Sequence, residues 1–147
     1  MSNTQPANTF PAASITRDAA LALMAAALKA AKDIGIEVAI AVTDGAGHLK
    51  AFERSDRAPF LTADVAIDKA WTAASFGVGT DVWTTIISNP KVAQLAHRPR
   101  LVAVGGGFPV IQAGQVVGGI GISGGDADQD KQVALTALAA VDFDVPA

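Results

Sequence analysis

The sequence predicts an α+β domain, an antiparallel sheet with helices packed on it, in the order α-ββ-αα-ββ(β)-α. Two observations carry this. Strand-like runs come in adjacent pairs joined by glycine-containing turns, which is hairpin chemistry. Helical stretches are grouped between those pairs rather than placed one after each strand, which argues against a parallel α/β sheet. A length of 147 residues suits a single core. Met1 to Ala13 is polar, proline-punctuated and without period, and reads as a flexible arm. Residues 14–147 then form one domain.

Each element has a local cause. Thr16 is a helix N-cap, the residues to Asp33 favour helix, and Gly35 supplies a left-handed stop. The middle of this helix, Ala19 to Leu28, has no polar side chain, so it needs cover on more than one side, from the sheet and from a second subunit. Glu37–Thr43 and His48–Arg54 flank Asp44-Gly45-Ala46-Gly47 and predict a hairpin. Pro59 leads into a helix over Leu61–Phe76, and Thr80 is expected to cap a short helix running to about Asn89, where Pro90 interrupts. Leu101–Ser123 reads as strands broken at Gly105-Gly106-Gly107 and turned at Ala113-Gly114. Asp126 and Gln129 make a capping-box start to a last helix.

Composition removes several function classes. There is no cysteine, hence no disulfide, thiolate metal site or cysteine nucleophile, and no tyrosine to act as a phenolic acid or base. A net charge of -3 with no basic run lacks the footprint of a nucleic-acid binder. No charged segment precedes an apolar run near Met1, so a cytoplasmic location is expected. Charged residues are 17% of the chain, against about 25% in an ordinary soluble domain, which points to surface buried in a homo-oligomer. The charge-free Leu101–Gly125 segment holds nine of the 14 glycines, which weakens it as a membrane helix.

That segment also contains two deceptive patterns. Gly119 to Gly124 fits G-x-G-x-x-G, but the dinucleotide fold needs a further parallel strand and more sheet after it, and the sequence ends at Ala147. Gly121 to Gly125 fits G-x-S-x-G, yet both histidines precede Ser123, the wrong order for that triad. The glycines have two remaining readings: backbone N–H groups and the Ser123 hydroxyl open to an anion, or tight helix–sheet packing.

Other candidates are scattered. Arg54 and Asp56, with Arg57, flank the second helix's start, where a guanidinium can clamp an anion. Lys69 lies on an apolar helical face with Val65, Ala66, Ala70 and Ala73, and either snorkels to solvent or serves a site. Trp71 and Trp83 suit a core or a subunit contact. His48 and His97 could ligate haem iron or carry a proton, but neither has a second histidine at helical spacing for a metal pair.

Three blocks in order resemble the GlcG/HbpS family, which includes the C-terminal haem-binding domain of PduO-type proteins. They are Val42-Thr43-Asp44-Gly45-Ala46-Gly47-His48-Leu49 with Arg54 and Asp56; Asp68-Lys69-Ala70-Trp71-Thr72-Ala73; and Gly105-Gly106-Gly107-Phe108-Pro109-Val110 continuing through Val116–Gly125 to Gln129-Asp130. The resemblance implies a profilin-like fold with a five-stranded antiparallel sheet, assembly into dimers or larger rings, and haem binding in several members. Arg54, Thr72, Gly105, Gly106, Gly107, Phe108, Pro109, Ser123 and Gly124, from these blocks, are the ligand-binding candidates, and His48, from its own side-chain chemistry, is the candidate axial ligand of haem iron. The expected function is a soluble, oligomeric haem- or small-molecule-binding protein, accessory to a catabolic pathway, with no membrane or nucleic-acid partner. The alternative is a cofactor-independent isomerase or hydrolase of a small organic acid, with Asp56 or His48 as base and Arg54 or Lys69 as electrophile.

Overall fold

A computed structural model describes residues 7–146. Helix α1 (Arg17–Asp33) is followed by strands β1 (Ala39–Asp44) and β2 (Leu49–Arg54), helices α2 (Leu61–Phe76) and α3 (Thr80–Ile86), a 3-10 turn over Ala93–His97, strands β3 (Gly107–Gln112) and β4 (Gln115–Ser123), and helix α4 (Ala127–Ala140). The strands form one antiparallel sheet in the order β2-β1-β4-β3. Part of the expected arm, residues 1–6, lies outside the described residues; residues 7–14 are exposed and join no helix or strand.

The local signals act as read. Thr16 accepts from Ala19 N at 3.1 Å, Gly35 takes φ +75° just past α1, and Asp126 with Gln129 completes a reciprocal capping box. The β1–β2 turn is held by Asp44 Oδ1, which accepts from Ala46 N and His48 N. The β3–β4 turn has positive φ at both Ala113 and Gly114, the mirror-image turn that suits twisted hairpins.

Two expectations need correction. Among the described residues the sheet has four strands, not five. The candidate fifth run, Leu101–Val104, is occupied elsewhere: Val102 N donates to Thr72 Oγ1, and Ala103 O accepts from Thr84 Oγ1. Its backbone is satisfied by helix side chains instead of a sheet ladder. Thr80 does not cap α3 either. Gly79 is the N-cap residue, and the Thr80 hydroxyl accepts from Gly107 N at 2.9 Å, tying α3 to the start of β3.

The sheet faces differ in size. On one, Ile40, Val42, Val110, Ile120 and Ile122 form the main core with Leu23 and Met24 of α1 and Val133 and Leu138 of α4. The second cover for α1 is therefore α4, although Leu21 stays 43% exposed. On the other face, Ala39 and Ala41 meet Ala66 and Ala70 of α2. A Cβ on Gly119 would strike the Ala70 carbonyl oxygen, and one on Gly121 the Ala66 carbonyl oxygen. Small residues on both sides let α2 lie close against the sheet, and this depth positions Lys69.

Candidate functional site

Seating α2 on Gly119 and Gly121 carries Lys69 past the end of β3 toward α4. The residue is 2% exposed, and Nζ donates to Ile122 O at 2.8 Å and Asp130 Oδ2 at 3.1 Å. The other Asp130 oxygen accepts from Gly125 N at 2.9 Å. This ion pair joins the helical layers on opposite faces of the sheet. Burial is the strongest influence on both groups: it pushes the Lys69 pKa down and the Asp130 pKa up, while their mutual attraction opposes each shift.

The glycine loop closes over this pair. At Gly106, φ is +126°, and an added Cβ would fall 2.8 Å from Lys69 Nζ and 2.7 Å from Ile122 O. Gly105 lies between Ala127 of α4 and Asp81 of α3; Asp81 in turn pairs with Lys131 at 2.9 Å. Gly107 faces the Lys69 carbonyl and Thr80. Gly105, Gly106 and Gly107 are all buried, so tight packing is the reading the structure realises there.

The predicted residues divide into groups. Lys69, Gly105, Gly106 and Gly107 converge on Asp130. Phe108 and Pro109 are buried on β3. Ser123 ends β4 at 7% exposure, and Gly124, with φ +143°, passes the Glu37 carbonyl. Arg54 is in register with Ser123 across the sheet, with Ala39 between them, and its Nη1 donates to Ala58 O, bracing the loop before α2. Asp56 and His48 are exposed. Thr72 Oγ1 donates to Arg100 O and accepts from Val102 N, both at 3.1 Å.

Sequence reasoning missed two partners. Asp130 was legible only as part of a family block, although a lysine on an apolar face calls for a counter-charge, and an aspartate in the first turn of α4 was available. Arg100 was not singled out. It packs Cζ 4.5 Å from the Trp71 ring centroid, and Nε donates to Asp68 Oδ1 at 2.9 Å. The signal was the i, i+3, i+4 spacing of Asp68, Trp71 and Thr72, which puts all three on one helical face.

Among the described residues, no group of three or more His, Asp or Glu side chains could hold a metal ion, and no helix is long and apolar enough to cross a membrane. The cavities best defined there hold about 200 to 380 Å³.

The comparisons agree with this architecture. The model of the family described as haem degrading protein HbpS-like matches residues 15–139. A 15.0 kDa protein from the dhaT-dhaS intergenic region of Citrobacter freundii is 36% identical over 130 residues, covering 86% of this chain and 91% of that one. The crystal structure of Klebsiella pneumoniae ORFY superposes with a TM-score of 0.87 at 32% identity, covering 95% of this chain and 98% of that one. The PduOC:heme complex superposes at 0.82 with 26% identity, over 91% of this chain and 99% of that one. With a family match spanning nearly all of the domain built around the Lys69–Asp130 clasp, the chain belongs to the HbpS-like family.

Proposed function

We propose that this protein is a soluble haem binder that works as a cytoplasmic homo-oligomer accessory to a catabolic pathway. The observation that carries the reading is the likeness, over nearly the whole chain, to the PduOC:heme complex. The donor set fits. With no cysteine in the chain, a protein ligand to iron must be an imidazole, a thioether or an oxygen donor. His48 offers an exposed imidazole on a hairpin that Asp44 braces through the backbone N–H groups of Ala46 and His48. Leu49, Phe52 and Arg54 of β2 lie opposite Thr43, Ala41 and Ala39 and so share one exposed face of the sheet, where they would offer apolar contact and a cation for a propionate. Bound haem would contribute one-electron and oxygen chemistry; the chain's own part is to hold and orient it.

Phe52, Phe60 and Leu61 are exposed by 40 to 88%. These exposed apolar side chains, together with the scarce charge, support burial between copies. Hemin titration tests the binding reading: a stoichiometric Soret shift is expected, and His48→Ala should weaken it while leaving the fold's circular dichroism unchanged. A spectrum identical to free hemin refutes haem binding, and an unaltered shift in His48→Ala refutes the ligand assignment. Sedimentation of the purified chain as a monomer would refute the assembly.

A further inference from the structure

Helices α2 and α3 and the segment after them line a half-open pocket of about 210 Å³ with Trp71, Phe76, Trp83, Leu95 and Leu101 in its wall and Arg98 as its one ionisable side chain. Phe76 and Trp83 meet edge to face with centroids 5.4 Å apart. The neighbouring Arg100 is already engaged by Asp68 and the Trp71 ring. Arg98 makes no salt bridge among the described residues, and no carboxylate lines the cavity. The wall is preformed, because the Thr72 hydroxyl fixes Arg100 O and Val102 N over α2. An apolar cavity of about 150 Å³ accepts one benzene ring, so this one has room for a single ring bearing one small polar group.

We propose that this cavity is a binding site for a monocyclic aromatic carboxylate, with the ring against Trp71, Phe76 and Trp83 and the carboxylate paired with Arg98. Aromatic walls favour a planar π-system through stacked and edge contacts. The unpaired guanidinium selects for an anion and accepts a carboxylate in a forked geometry. The site does not depend on haem binding, and a single-ring cavity does not admit a tetrapyrrole.

The chain has two tryptophans, and both line the cavity, so its whole indole emission reports on occupancy. Benzoate added to haem-free protein should change that emission saturably, with calorimetry giving one site per chain and a dissociation constant below about 1 mM. Acetate, which has the charge without the ring, and benzyl alcohol, which has the ring without the charge, should each bind at least about tenfold more weakly. Arg98→Met changes an exposed residue; it should erase the preference for benzoate over benzyl alcohol. Ser75→Phe, at an exposed lining position, should block both by filling the mouth. Absence of saturable benzoate binding, acetate binding as tightly as benzoate, an unchanged preference in Arg98→Met, or unchanged binding in Ser75→Phe would each overturn the proposal.

Discussion

Breaking the Lys69–Asp130 pair should be among the most damaging changes in the domain. Both side chains are about 3% exposed, and removing one partner leaves the other's charge in a medium that solvates it poorly. Uncompensated buried charges cost about 3 to 5 kcal/mol. Lys69→Met, which keeps the aliphatic stem, should lower stability by that amount, and Asp130→Asn, which keeps an acceptor for Gly125 N, by a similar one. At about 2 to 4 °C per kcal/mol for a chain of this size, each Tm falls by about 6 to 20 °C. The double variant has no stranded charge, so its loss should be smaller than the sum of the single losses by about 1 to 3 kcal/mol. Urea unfolding of all four proteins measures the cycle. Losses that add to within about 0.5 kcal/mol would refute the coupling.

The pH dependence has opposite signs at the two groups. Asp130's folded pKa is raised by burial, so its contribution to stability is present below the unfolded value and lost as pH rises through the folded one. The deficit of Lys69→Met, where only the Gly124 and Gly125 backbone groups still oppose that burial, should therefore narrow between pH 7 and about 4. Lys69's folded pKa is lowered by burial, so its contribution is present above the unfolded value and lost as pH falls through the folded one; the deficit of Asp130→Asn should narrow between pH 7 and about 10. Deficits that stay flat would contradict burial as the dominant influence. Gly121→Ala should cost about 3 kcal/mol or more by driving α2 off the sheet. Gly114→Ala, where a Cβ meets nothing within 4 Å but φ is +76°, should cost only about 1 to 2 kcal/mol; thermal denaturation compares the two. Asp126→Ala removes the α4 cap and should cost about 1 kcal/mol, read as a Tm drop of about 2 to 4 °C. Thr72→Val strips the partner from Val102 N and Arg100 O, and hydrogen exchange at the Val102 amide should accelerate while β1 and β4 amides stay protected.

What the sequence made legible was local. Thr16, Gly35, Asp126 and Gln129 act through atoms within about one helical turn, so their chemistry is written in adjacent letters. The fifth strand failed because a β-rich run says nothing about which groups take its hydrogen bonds. Thr72 and Thr84, 30 and 19 residues upstream of the backbone they hold, took them at Val102 and Ala103. The same distance hid the fate of Lys69. Its apolar surroundings were visible as helical spacing, but the choice between snorkelling and burial depended on Asp130, 61 residues away. The glycines stood between these cases: their density was obvious, yet only their partners show that Gly106, Gly119 and Gly121 exist for close approach and do not line an open anion site.

That outcome constrains where haem can sit. The glycine loop lies closed over Lys69 and Asp130, and the best-defined pockets reach about 380 Å³. One benzene occupies a cavity of about 150 Å³, and four linked pyrroles with two propionates need several times that, so none of these cavities encloses a macrocycle. The proposed haem site is therefore on the surface, where His48, Leu49, Phe52 and Arg54 are exposed. An open surface covers one face of the macrocycle and leaves the other to water, so burial of both faces requires a second copy. Haem affinity should then rise with protein concentration until the assembly saturates. A Soret titration that gives the same affinity for monomer and oligomer would separate the two halves of the proposed function and leave the apolar surface without a role in haem binding.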